Sequence, residues 1–134
     1  MQKWLFIVVL LSSFVLLNGC SKPPLLVDRV LVKNASDGKV TEVKIHHEPT
    51  NRIGGVNAIL PQESLDIGFP DQPLLARQAI IQWRDKQGQV RTGKLVIPYD
   101  SAAAKDGRVM SLIYILHPTG VASAHLQDST RQAY

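Results

Sequence analysis

The spacing of short apolar runs constrains this chain more than any other feature. From residue 25 onward, Val, Ile and Leu gather in stretches of five to nine residues, each closed by a cluster of Gly, Pro, Asn or Asp. Short runs at such intervals are the pattern of a β-sandwich or barrel. Beyond the first 19 residues, no segment of ten or more keeps a 3.6-residue apolar period, so long helices are not available to cover a sheet. Seven runs read as strands: Leu26–Asn34, Val40–Glu48, 56–60, 64–69, Gln78–Arg84, 89–97 and 108–116. Successive residues of a strand point to opposite faces. Val43, Ile45 and His47 therefore oppose Glu42, Lys44 and His46, and Leu65, Ile67 and Phe69 share a face. Ala79, Ile81 and Trp83 share another, which makes Trp83 the expected core aromatic. The run at 108–116 is the most apolar and reads as a central strand buried on both sides.

The connections complete this picture. Residues 35–39 read as the turn of a first hairpin, 49–55 as a loop in which Gly54 and Gly55 serve a turn, and 85–88 as a hairpin connection. Three alanines at 102–104 suggest a single helical turn within 100–106, ended by Gly107. Residues 117–134, with Pro118, Gly120 and scattered Ser, Thr and Gln, read as a loosely ordered tail, or else as a segment that adds as a strand to a partner's sheet. The expected fold is all-β, a small immunoglobulin-like β-sandwich of about seven strands at 25–116. It would lack the cysteine pair of antibody domains.

The N-terminus carries different information. Lys3 precedes a run at 4–17 that is apolar except for Ser12 and Ser13, the layout of a signal peptide. At about 1.5 Å per residue, a helix of that length reaches about 21 Å, short of a hydrocarbon core of roughly 30 Å. Leu17, Asn18, Gly19 and Cys20 follow, and this sequence resembles the lipobox of bacterial lipoproteins, with Asn18 standing where Ala, Ser, Thr or Val is commoner. The resemblance covers about 20 residues. It implies a cleaved signal peptide at 1–19, lipidation of the Cys20 thiol, and a short Pro-containing tether at 20–24. In Gram-negative lipoproteins Asp after the lipidated Cys tends to retain the protein at the inner membrane. Ser21 in that position implies an outer-membrane protein, lipid-anchored and facing the periplasm.

The remaining residues exclude more than they identify. A net charge of +4, without clustering, is too small for a nucleic-acid binder. One cysteine leaves no intramolecular disulfide. Adjacent His46 and His47 point to opposite faces of a strand and cannot easily share an ion, while His117 and His125 fall in the expected tail, so no metal ligands are assigned. No nucleophile elbow, phosphate loop, zinc-protease helix or dinucleotide fingerprint occurs, and scattered acids such as Glu63 and Asp66 give no grounds for selecting a pair. Hence no catalytic residues, cofactor or metal are expected. Arg29, Lys33, Lys39 and Lys44 put positive charge on the first hairpin, read as a solvated face or as a surface attracted to anionic headgroups. The expected function is a non-catalytic, membrane-tethered protein-interaction module of the cell envelope, held by lipid on Cys20 and docking an envelope protein. The alternative is a periplasmic ligand-binding or inhibitory lipoprotein that neutralises a toxin or hydrolase.

Overall fold

The computed structural model describes residues 25–48, 53–98 and 109–129. The signal segment, Cys20, the tether and the helical turn expected at 100–106 lie outside them. The strands in chain order are β1 (Leu26–Asn34), β2 (Val40–Glu48), β3 (Ile53–Ile59), β4 (Ser64–Gly68), β5 (Gln78–Arg84), β6 (Val90–Val96), β7 (Val109–Leu116) and β8 (Ala122–Asp128). They form two four-stranded sheets, ordered β4-β1-β7-β8 and β3-β2-β5-β6, packed on one core. The fold is thus the all-β sandwich that the apolar runs imply, with eight strands among the described residues where about seven were expected. No helix among the described residues is long and apolar enough to cross a membrane.

The core follows from alternation, corrected at two places. Val30 and Val32 of β1 face inward with Met110, Leu112, Tyr114 and Leu116 of β7, and across the interior lie Val43 and Ile45 of β2 and Ala79, Ile81 and Trp83 of β5, all buried. Burying one such aliphatic side chain contributes about 1.5–3 kcal/mol. Strict alternation would turn Val27 away from Val30 and Val40 away from Val43, yet all four are buried. The register of β1 against β7 shifts between Val27 and Arg29, and that of β2 against β5 shifts between Thr41 and Lys44. Each shift is a bulge that absorbs one residue and returns the apolar set to the core. Within the second bulge, Glu42 adopts a φ of 50° and its carboxylate accepts a hydrogen bond from Arg84 Nε. Both side chains are exposed, so this pair contributes less than about 1 kcal/mol.

Three expectations are corrected. First, β1 and β2 are not a hairpin: β1 pairs with β4 and, in parallel, with β7, whereas β2 pairs with β3 and β5. Residues 35–39 cross between sheets, because both strands carry an apolar face and each buries it against the opposite sheet. Arg29 and Lys33 consequently lie on the outer face of one sheet and Lys44 on that of the other, which removes the basic face expected of a hairpin. Second, Gly54 and Gly55 belong to β3 and not to a loop. A Cβ on Gly54 would lie 3.2 Å from Ile67 Cδ1 of β4, so the missing side chain allows the two sheets to close along this side. Third, residues 122–128 of the expected tail are β8, paired antiparallel with β7 from Met110↔Asp128 to Leu116↔Ala122.

One end of the sandwich differs from the other. β1 and β7 both start beside Leu25, and β5, which is antiparallel to β2, starts there too. The turns at 35–39, 60–63, 85–89 and 117–121 all lie at the opposite end.

Candidate functional site

The four turns far from Leu25 form a cross-linked surface, and Asn34 is its centre. Asn34 continues the inward phase of Val30 and Val32, so its amide is carried into the core end, where it has no solvent exposure. A buried amide must be satisfied by partners in the protein. Nδ2 donates to the carbonyls of Gly38, at 2.8 Å, and Ile59, at 3.0 Å, while Oδ1 accepts from the Ser36 amide at 3.0 Å and the Ser36 hydroxyl at 2.6 Å. The Asn34 backbone adds two further bonds, its amide to Glu63 O and its carbonyl from Gln62 N. The side chain fastens the 35–39 turn to the end of β3, and the backbone of the same residue holds the 60–63 turn that follows it.

The other two turns share a single design. In each, the first amide donates to the carbonyl four residues on and a glycine amide donates back to the first carbonyl: Asp85 to Gln89 with Gly88, and His117 to Val121 with Gly120. Both glycines take left-handed backbone, with φ of 79° and 82°, where a side chain would be strained. The Asp85 carboxylate also accepts the amides of Gln87 and Gln89 and pairs with Arg91 at 3.1 Å. Burial works to raise its pKa, but these donors outweigh it and hold the carboxyl below its usual value. Arg91 in turn lies against Gly120, where a Cβ would sit 3.3 Å from the guanidinium.

Between these turns lies an open cleft of about 70 Å³. Val40, Trp83 and Leu116 contribute apolar wall, and Asp37, Lys86 and Arg91 contribute charge. Lys86 and Asp37 pair at 2.9 Å, and the lysine holds the Asp37 carboxyl below its usual range. A second cleft of about 110 Å³ lies over Lys44, Gln82 and Arg84. Small-molecule sites usually enclose about 300–1,000 Å³. Both clefts are smaller than this.

The histidines are distributed more informatively than the sequence suggested. His47 is only 4% exposed, and its Nε2 shares a 2.7 Å hydrogen bond with Tyr114 Oη, whose ring stacks 5.9 Å away; Phe69 meets it edge-on. Burial, assisted by the charge of neighbouring His46, lowers the His47 pKa to about 4, and burial pushes the Tyr114 hydroxyl upward. His46 points to the opposite face of β2 and is partly exposed, as alternation requires. His117 and His125 are brought together on the β7–β8 hairpin, where both contact Ser123. Among the acids considered as a pair, Asp66 instead meets Arg29 at 3.3 Å. Among the described residues, no three His, Cys, Asp or Glu side chains converge.

Trp83 is buried, as its position on an apolar face implied. Cys20, the one site residue assigned from sequence, lies outside the described residues. The role of Asn34 was missed, although a polar residue in the inward phase of its strand was a legible signal.

No family model and no curated protein matches the chain. A similar solved structure is the NMR structure of a protein from Eubacterium rectale, 10% identical, covering 78% of this chain and 92% of that chain, with a TM-score of 0.47.

Proposed function

We propose that this chain is a non-catalytic, lipid-anchored module of the bacterial outer membrane, whose turn end docks an envelope protein. The observation that carries the reading is the opposition of the two ends: the chain arrives from Cys20 at Leu25, and the four turns lie at the other extremity. A strand of nine residues spans roughly 30 Å, and a proline-stiffened tether of four or five residues adds on the order of 15 Å. The turns would therefore face away from the membrane that holds the lipid. Their pinning by Asn34, Asp85 and Arg91 supports docking, because a surface already ordered loses little conformational entropy on binding. Buried acyl chains contribute about 0.8 kcal/mol per CH₂, so two or more chains on Cys20 would make the anchorage lasting.

Two measurements test the two halves of this reading. Cys20→Ser is expected to move the protein out of the membrane fraction, and continued membrane fractionation would refute the lipid anchor. Photo-crosslinkers in living cells at Lys39, Gln87 and Thr119 of the turn end, compared with Lys33 and Lys94 on the sheet faces, test the docking surface. Discrete adducts to an envelope protein are expected from the first three positions. Adducts confined to the sheet faces, or none at all, would overturn it.

A further inference from the structure

The β7–β8 hairpin makes neighbours of two histidines that are eight positions apart in the chain. His117 follows β7, and Ser123 and His125 share one face of β8, opposite Ile115 and Ile113. That face is the outer one, since the alternate residues Ala122 and Ala124 turn toward the core. His117 Nε2 lies 2.7 Å from Ser123 Oγ, and His125 Nε2 lies 3.1 Å from the same oxygen. A hydroxyl has one proton, so Ser123 donates to one ring and accepts from the N–H of the other.

We infer that His117 and His125 form a surface site for a late first-row divalent metal ion such as Zn²⁺, Ni²⁺ or Cu²⁺. Both rings direct Nε2 at one point, and imidazole nitrogen is a favoured donor for these metals. Because both nitrogens are hydrogen-bonded to one oxygen, they are at most about 5.8 Å apart. Two nitrogens on a tetrahedral zinc at about 2.0–2.1 Å stand roughly 3.3 Å apart, a closure that side-chain rotation at a partly exposed hairpin can supply. The ion takes the place of the Ser123 hydroxyl as the shared partner of the two rings, and the ring that had donated its Nε2 proton to Ser123 carries that proton on Nδ1 instead, so that both neutral rings present a free Nε2. Water completes the coordination. With two imidazoles the site is an open one, unlike the closed four-ligand sites that hold structural zinc.

The test uses the untagged full chain in detergent, titrated with NiCl₂ and ZnCl₂ by isothermal calorimetry, with Cu²⁺ electron paramagnetic resonance as a second readout. One saturable site is expected, with nitrogen hyperfine splitting from two imidazoles. It should be lost in His117→Asn and in His125→Gln, and retained in His46→Gln and Ser123→Ala. Far-UV circular dichroism confirms that each variant keeps its β-sheet spectrum, and double His117→Asn/His125→Gln is compared at the same metal concentrations. Absence of saturable binding in the wild type would overturn the assignment, as would binding that persists in the double variant.

Discussion

Replacing Asn34 with alanine is expected to lower the unfolding free energy by about 3 kcal/mol, a large share of the 5–15 kcal/mol typical of a small domain. The estimate follows from what the amide leaves behind. Its removal strips the Ile59 carbonyl of its Nδ2 donor and the Ser36 amide of its acceptor, while the Ser36 hydroxyl and the Gly38 carbonyl, 3.0 Å apart, keep only each other. A buried polar group without its partner costs about 1–3 kcal/mol, and the Ile59 bond is fully buried while the other three are partly so. The cavity left by the side chain adds to this, since core contacts relax only partially. Asn34→Asp should also destabilise, because the carboxylate keeps an acceptor for Ser36 but offers the two carbonyls no donor and brings charge to a site without solvent. Denaturant unfolding of wild type and both variants, followed by far-UV circular dichroism, checks this. A loss below about 1 kcal/mol for the alanine variant would show that the turns are held without Asn34. The same variant should weaken crosslinking from Lys39, if the proposed docking surface depends on the pinned turns.

The residues at Asn34 also show what the sequence displayed and what it concealed. Strands β1, β2 and β5 have the boundaries that their apolar runs predict, because each alternates large β-branched or aromatic residues with polar ones. β8 was concealed by its composition. Its inward residues are Ala122, Ala124 and Leu126, and alanine has little strand preference and little apolar surface with which to mark a face. The signal lay in the turn before it: His117-Pro118-Thr119-Gly120 places proline and glycine where a hairpin with a left-handed fourth residue needs them, the pattern also seen at Asp85 to Gly88. Gly54 and Gly55 misled for the opposite reason. A pair of glycines commonly marks a turn, but here it marks a strand on which another element closes: an added Cβ would meet Ile67 at one glycine and the Val43 carbonyl, 3.0 Å away, at the other. The sheet switch at 35–39 depends on which partner strands compete for β1, and local sequence carries no record of that competition. A tail at 117–134 gives His117 and His125 no fixed relation to each other, and their juxtaposition follows only from the register of the hairpin.

Acidification should destabilise the domain through His47, by about 3 kcal/mol between neutral pH and pH 4. In the folded protein the ring sits among Tyr114 and Phe69, 4% exposed, and burial together with the adjacent His46 lowers its pKa from 6.5 to about 4. The unfolded chain therefore binds more protons than the folded one throughout that interval. Stability then rises with pH there, and falls as pH is lowered through it. It is fully present above about pH 6.5, declines below that value, and this contribution is mostly lost by about pH 4. The full difference between the two pKa values corresponds to about 3.5 kcal/mol, of which about 3 kcal/mol falls between neutral pH and pH 4, where the folded ring is itself half protonated. The hydrogen bond to Tyr114 does not reverse the sign, since either partner can donate in the neutral pair and burial raises the tyrosine, which keeps its proton. His47→Gln retains a polar group near the Tyr114 hydroxyl but cannot titrate in this range. Its stability at pH 7 should be lower than that of the wild type, because the ring's packing is lost, while its decline from pH 6.5 to 4 should be shallower by about 3 kcal/mol. His46→Gln should leave most of the wild-type slope intact, because burial is the larger cause of the shift and the neighbouring charge the smaller. Urea midpoints measured at half-unit pH steps for the three proteins distinguish these outcomes. Equal slopes in wild type and His47→Gln would mean that the buried imidazole is not the group that senses acid.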